Sequence, residues 1–393
     1  MKDLVIVKEG DKVITGLFDG NELVEAQIED LEGGELLSRI YLGKVKNIIA
    51  NINAAFVEIE DGRMCYLSLD EVKNPVYAGM AHEGPLRVGD EIIIQITKEG
   101  SSLKAPQATA DFCLTGRYLV LVHGRGVVGI SKKVEDQTER ARLKALVGGL
   151  ARENCGFIIR TNSLYCDDDT LEAEAKGLLE VYDRLVTEGV HRKPFSLLYK
   201  ANPSYIWEIR DLCSADIDRI RTNDRSVCDQ IYEYMKTAQK EDIEKLELYD
   251  NEEPLGLAGL YKLKEKIEEA MKERVWLKSG AFLVIQPTEA CTVIDVNTGK
   301  AVSGKKSQQE TFLRINLEAA REVARQLRLR NLSGIIIVDF IDMVDEGYRE
   351  QLMRELRELC KKDRIPTRVV DMTKLNLVEI TRKKTRKPLA QQL

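Results

Sequence analysis

The 393-residue sequence predicts a mixed α+β protein of several domains. Three observations carry that prediction. Residues 36–115 read as short apolar strands parted by Gly, Asp and Asn turns. Residues 276–393 alternate apolar strands with two amphipathic helices, the order of an α/β layer. The stretch between them mixes strands with helices and becomes polar and helical from residue 211. Length alone allows two to four domains.

Composition narrows the class. Hydrophobic residues make up 44% and charged residues 32%, enough for cores and too apolar for disorder. The net charge is −6, so any nucleic-acid surface must be local. Eight cysteines form no C-x-x-C pair, which argues against structural zinc and against a secreted disulfide scaffold. His82, His123 and His191 are far apart, which argues against a histidine metal site or a Ser-His-Asp triad. No signal-peptide core opens the chain and no apolar run reaches membrane length, so no membrane span and a reducing cytoplasm are expected.

Taken in order, residues 1–35 hold two or three strands, too few for a domain, which should pair with something later. Residues 36–115 offer candidate strands Ile40–Ile49, Ala55–Ile59, Met64–Leu69, Glu91–Lys98 and Phe112–Val122. Five strands of that length suit an OB-type barrel. Tyr41, Phe56 and Tyr66 fall on successive strands, with Lys44, Lys46, Arg63 and Lys104 close by. Bases stack on such aromatics and phosphates meet such cations, so this is the chemistry of a single-strand binder. The competing reading makes Phe56 an ordinary core side chain.

Residues 116–210 contain a helix from Asp169 to about Val186, opened by a capping-box-like Asp169-x-x-Glu172. Arg160-Thr161 follows the apolar strand Phe157–Ile159. A guanidinium fork beside a hydroxyl suits a phosphate. Residues 211–275 are polar, with helices over Glu241–Leu248 and Gly259–Ala270.

The most informative residues lie in 276–393. Thr292–Val296 reads as a buried strand with Asp295 near its end. Residues i and i+2 of a strand face the same side, so Asp295 and Asn297 point together. A second apolar strand, Gly334–Val338, leads into Asp339 and Asp342. Two strands tipped with carboxylates, Asp295 and Asp339, are the ligand chemistry of a hard cation such as Mg²⁺, with Mn²⁺ as a substitute. The plainer alternative is that each Asp caps a turn. Thr311–Arg330 is an amphipathic helix with arginines along one flank, and Glu346–Lys362 is a second helix. From Lys361 onward ten basic residues face three acidic ones, a local basic tail.

Several islands now share one resemblance. Tyr41-Leu42-Gly43-Lys44-Val45, Ala54-Ala55-Phe56-Val57 and Gly62–Leu69 resemble the ribosomal-protein-type OB domain of the ribonuclease E/G family. Gly129-Ile130-Ser131-Lys132-Lys133 and Gly156-Phe157-Ile158-Ile159-Arg160-Thr161 are similar to further motifs of that family. Gln286–Gly299 looks like its Q-T-E-A-x-x-x-I-D-V-N-x-G, with Pro287 directly before Thr288. Asn316–Arg330 and Val338–Met343 resemble its N-L-E-A-A and I-D-F-I-D-M stretches. The islands run from about residue 38 to about 388.

The resemblance implies four parts. They are a ribonuclease H-like subdomain (1–35 with 211–275), an OB-fold RNA-binding domain (36–115), a 5′-sensor subdomain (116–210) and a DNase I-like catalytic domain (276–393). It implies an Mg²⁺-dependent endoribonuclease acting on single-stranded RNA in processing or decay, leaving 5′-phosphate and 3′-hydroxyl ends. Asp295 and Asp339 would bind the metal, with Asn297 completing the catalytic set. Phe56, Tyr66 and Lys104 would hold RNA. Arg160 and Thr161 would grip a 5′-monophosphate. The family's C-P-x-C segment does not follow Pro388-Leu389, so neither zinc nor a zinc-linked dimer is expected, and the oligomeric state stays open. A further phosphate contact of the family falls at Pro366, with Arg364 and Arg368 as near substitutes. Two rivals stay open: a non-catalytic RNA-binding factor associated with ribosomes, and a nuclease directed at DNA.

Overall fold

The computed structural model describes residues 1–31, 36–79, 84–100, 104–212, 216–249, 255–301 and 308–393. The expected boundary between residues 35 and 36 falls where residues 32–35 lie outside this set. The chain divides into two compact units. One comprises Met1–Glu32, Ala215–Tyr232 and Glu244–Leu393, and the other Gly33–Ser214 and Glu233–Ile243.

The second unit contains a closed five-strand barrel. Its strands are Ile40–Ile49, Ala54–Glu58, Met64–Ser68, Glu91–Lys98 and Gln107–Thr109, closed by pairing of Ile40–Lys44 with Glu91–Gln95. Tyr41, Val45, Val57, Leu67, Ile92 and Ile94 fill the interior. Gly43 permits the close crossing at the seam, since a Cβ there would lie 2.5 Å from the Val57 side chain. The fifth strand is not the expected one. Phe112–Val122 breaks into Cys113–Thr115 and Leu119–His123, which join Cys155–Ile159 and Val128–Ile130 in a separate four-stranded sheet. The break is at Gly116-Arg117, where the Glu174 carboxylate accepts the N–H groups of Arg117, Tyr118 and Leu119. Glu174 rides on the helix Asp168–Thr187, whose N-terminal cap is Asp167, two residues before the expected start.

Among the described residues the first unit holds two sheets. In one, Lys2–Glu9 pairs in parallel with Arg219–Thr222 and antiparallel with Lys12–Asp19, which pairs onward with Glu22–Asp30. Leu246–Leu248 completes this sheet beside Arg219–Thr222, so the predicted helix over Glu241–Leu248 ends as a strand. The predicted helix Gly259–Ala270 is two, Leu257–Leu260 and Leu263–Met271, parted where Lys262 adopts φ 50°.

The other sheet has six strands, in the order Arg274–Trp276, Phe282–Pro287, Cys291–Asn297, Gly334–Asp339, Leu377–Arg382 and Thr367–Met372. Two helices, Gln308–Leu329 and Glu346–Lys361, pack on one of its faces. Ile294, Val296, Ile336, Val338, Val378 and Ile380 meet Ile315, Ala319, Val323, Leu352 and Leu356 there. Each buried aliphatic side chain contributes roughly 1.5–3 kcal/mol. The opposite face carries the alternate residues and lies open, with Ile335 53% exposed.

Part of the arginine flank and of the basic tail is engaged within the unit. Arg321 pairs with Glu355, Arg325 with Glu322, and Arg330 is buried on Gln326 and the Lys272 carbonyl, so most of the arginine flank is engaged. Three arginines of the basic tail are likewise engaged. Arg364 bonds Glu25, Arg382 is buried against Asp363, and Arg386 bonds Gln27.

Candidate active site

The hairpin Phe282–Asn297 sets the first acid. Thr288 closes its turn, its hydroxyl donating to the Cys291 carbonyl at 2.7 Å and accepting the Cys291 N–H at 3.1 Å. From there the strand alternates: Thr292, Ile294 and Val296 are buried, while Val293 and Asp295 face out. Gly299, at φ +52°, ends the hairpin against Gly280, whose carbonyl oxygen would lie 2.3 Å from any Cβ placed there.

The second acid comes from the parallel neighbour. Register pairs Asp295 directly with Asp339, both on the open face, Asp339 at the carboxyl end of its strand and Asp295 two residues short of its own. Neighbouring strands lie roughly 4.8 Å apart, so the two carboxylates are close companions. Asn297 donates its side-chain amide to the Asp295 carboxylate at 2.6 Å.

A third acid, Asp342, was not among the predicted site residues. It follows Asp339 by one turn of loop. Buried Asn316 holds that loop from the helix, donating to the Ile341 carbonyl at 2.8 Å and accepting its N–H at 3.0 Å. Asn376 donates to Asp342 at 3.0 Å. Burial, the Asp295 carboxylate and the Asp342 carboxylate together raise the Asp339 pKa above the ordinary value. A signal for this part existed in the sequence: Asn316 is a polar residue beside the apolar stripe of its helix.

Among the described residues, no three His, Cys, Asp or Glu side chains converge tightly enough to enclose a metal by themselves. The site nevertheless fits Mg²⁺. It offers oxygen donors only, no cation pairs with its acids among the described residues, and Mg²⁺ keeps water on most positions when one or two carboxylates hold it.

The other predicted site residues lie in the second unit. Phe56 and Tyr66 pair across neighbouring strands, half-exposed on the barrel's outside, with ring centroids 6.1 Å apart and edge-on. Tyr41 departs from the expected aromatic face. It is fully buried in the barrel and donates its hydroxyl to Glu60. Lys104 is exposed, two residues before Pro106, whose carbonyl accepts the Tyr66 N–H at 2.8 Å. Lys44 and Lys46 are tied to Glu91 and Glu58.

Arg160 and Thr161 sit where the strand Cys155–Ile159 turns into the short helical segment Thr161–Tyr165. Arg160 donates to the Gly116 carbonyl at 2.7 Å and to Asp211 at 2.8 Å. Thr161 shares a hydrogen bond with Ser131 at 3.1 Å. Burial would raise the Asp211 pKa, but the Arg210 and Arg160 guanidiniums outweigh it and hold the carboxyl well below the usual range. The guanidinium is therefore already partly engaged by protein.

Comparison with known proteins gives the family. The family model described as "Ribonuclease E/G family" matches residues 113–385. Ribonuclease G of Salmonella typhimurium (strain SL1344) is 33% identical over 379 residues, covering 94% of this chain and 77% of that protein. Ribonuclease G of Escherichia coli (strain K12) is 33% identical over 382 residues, 95% of this chain and 78% of that one. Ribonuclease E of Synechocystis sp. is 33% identical over 367 residues, 91% of this chain and 54% of that one. With its family match running from the sheet after the barrel to the end of the six-stranded sheet, the chain belongs to the ribonuclease E/G family.

Proposed function

We propose that this member of the ribonuclease E/G family is an endoribonuclease that hydrolyses single-stranded RNA at the Asp295/Asp339 pair with Mg²⁺ bound. Family membership supports the coarse part, an endoribonuclease of RNA processing or decay. The observation that carries the finer part is the register that sets Asp295 beside Asp339 on an open sheet face. Carboxylates facing a polyanion repel it unless a cation stands between them. A non-catalytic RNA-binding factor would gain nothing from such a pair.

The residues take distinct roles. Asp295 and Asp339 would hold the ion, and Asn297 fixes one Asp295 oxygen so that the other faces the ion. The metal would supply an activated water and neutralise charge developing on phosphorus. Asp342, steadied by Asn376, would keep the site negative. No histidine is near these motifs, so we read the products as 5′-phosphate and 3′-hydroxyl ends rather than a 2′-hydroxyl-driven cleavage.

The barrel, as an OB-fold RNA-binding domain, would grip the strand through Phe56, Tyr66 and Lys104. Around it we read residues 1–35 with 211–275 as a ribonuclease H-like support and 276–393 as a DNase I-like catalytic layer. Arg160 and Thr161 would sense a 5′-monophosphate within residues 116–210, the phosphate displacing Asp211 from one edge of the guanidinium. No helix among the described residues is long and apolar enough to cross a membrane. We place its work in the cytoplasm.

The test is incubation of the purified protein with an end-labelled single-stranded RNA, with Mg²⁺ and with chelator. Internal cuts bearing 5′-phosphate ends and dependent on the ion are expected. Cleavage that persists in chelator, or products ending in 2′,3′-cyclic phosphate, would overturn the reading.

A further inference from the structure

The open face of the six-stranded sheet carries more than acids. Register lines up Trp276 with Phe282 and Phe282 with Asn297, so one row runs from an exposed tryptophan to the side chain that holds Asp295. The next row runs from Arg274 through Val284 to Asp295 and Asp339. Trp276 is 61% exposed, an unusual exposure for the largest apolar side chain. Its ring lies 5.1 Å from that of Phe282 at 56°, and the Arg274 guanidinium lies 4.5 Å from the Phe282 ring and 5.8 Å from Trp276. Among the described residues Arg274 has no carboxylate partner.

We propose that Trp276 and Phe282, with Arg274 laid against them, form a stacking platform for a base of the RNA strand whose phosphate lies at Asp295 and Asp339. The proposal rests on the reading of those acids as the cutting site. Two strand spacings, roughly 10 Å, separate Trp276 from Asn297, about the reach of one or two nucleotides from the scissile phosphate. An exposed aromatic face beside an unpaired cation is the chemistry that takes a base and its phosphate together. The platform tolerates every base, because each has a π face. Trp276 is a positioning residue: it sets which phosphodiester reaches the acids and leaves the bond chemistry to them.

The chain has two tryptophans, and Trp207 is 9% exposed, so Trp276 can report directly. With Mg²⁺ present, a short single-stranded RNA carrying non-hydrolysable linkages in place of its phosphodiesters should quench the native protein's emission, and Trp276→Phe should lose that quench. An abasic nucleotide at one position of the RNA should abolish it, and the same base at other positions should matter little. Under Mg²⁺, Trp276→Ala should raise KM roughly tenfold, the worth of about one base–aromatic stack, and scatter the cut positions, with kcat little changed. Trp276→Phe should restore both.

An unchanged KM and cut pattern in Trp276→Ala, or emission indifferent to bound RNA, overturns the platform. Emission already shielded without RNA and released by dilution would put a second copy of the chain on this face and overturn it too. The quench is read with Trp276 in place, so poor folding of the alanine variant does not touch it. If Asp295→Asn still cut at full rate, the acid site would fail while the quench stood, and the two failures are told apart.

Discussion

The Asp295/Asp339 pair and the Arg160/Asp211 pair are opposite solutions to one electrostatic problem. At the acids, like charges are brought side by side on an open face, and burial with neighbouring carboxylates raises the Asp339 pKa. At Arg160, opposite charges are already matched, and Asp211 is held ionised by two guanidiniums. An arrangement with unbalanced charge stores a demand for a ligand. An arrangement that balances itself gives a ligand less to gain, because a phosphate must displace an existing partner. The acid pair is thus the stronger mark of a binding site, and the arginine pair fits a sensor that modulates rather than drives.

The largest effect that could break this contrast is on rate. Asp295→Asn and Asp339→Asn should each lower cleavage about 100-fold or more, while single-stranded RNA still binds. Initial rates and a filter-binding titration on the same preparations decide it. Near-full activity in either variant under Mg²⁺ would reduce the acids to turn caps.

Next comes the barrel, for which we propose affinity rather than chemistry. Phe56 is half-exposed beside Tyr66, so its truncation should weaken RNA binding by about 1–3 kcal/mol and cost little stability. A binding titration paired with a thermal melt separates the alternatives. A large fall in melting temperature with unchanged affinity per folded molecule would return Phe56 to the core.

How much of this was legible follows from where each partner sits in sequence. Asp295 and Asn297 could be read together because a period of two places them on one face. Their pairing with Asp339 rests on strand order, which the alternation of strands and helices only suggests. Asp342 escaped because its position depends on Asn316, a helix residue that clamps the Ile341 backbone. Tyr41 was misplaced for a different reason. Ile40 and Leu42 pack outward against the four-stranded sheet while Tyr41 points into the barrel, so that strand is buried on both sides and alternation carries no facing signal. The split of Phe112–Val122 was hidden because the carboxylate that captures its N–H groups, Glu174, lies on a later helix. The Arg160–Asp211 bond was hidden likewise, since nothing near Arg160 in sequence announces its partner.

The Arg160–Asp211 pair gives a smaller effect, with two readouts. Asp211→Asn should cost about 1–2 kcal/mol at neutral pH, since both guanidiniums lose their anion and solvent screens part of the loss. The sign with pH follows from the depressed folded-state pKa. The contribution is present above the ordinary carboxylate range and lost as pH falls below it, so the variant should melt with a flatter acid limb than the native chain. In cleavage, Arg160→Ala should erase any preference for 5′-monophosphorylated over 5′-hydroxyl RNA and leave the slower end-independent rate. Equal native rates on both RNAs would make the Arg160–Asp211 bond purely structural.

The smallest effect has the opposite sign and sharpens the comparison most. Among the described residues the Asp339 side chain makes no hydrogen bond or ion pair, so Asp339→Asn sacrifices no partner. It removes one of three neighbouring negative charges. A carboxyl whose folded-state pKa is raised favours folding most when protonated, and that advantage is lost as pH rises through the raised value. At neutral pH the ionised group is therefore a cost, and solvent screening at this exposed site limits it to about 0.5 kcal/mol. In chelator, Asp339→Asn should consequently melt slightly above the native chain, and the gap should close as pH falls to the carboxylate range. Saturating Mg²⁺ should reverse the order, because the ion stabilises only the chain that holds it. Melting curves at neutral and acidic pH, in chelator and in Mg²⁺, test all of this. A variant less stable than the native chain in chelator would mean that Asp339 is held by the fold after all, and the charge imbalance that marks the site would be gone.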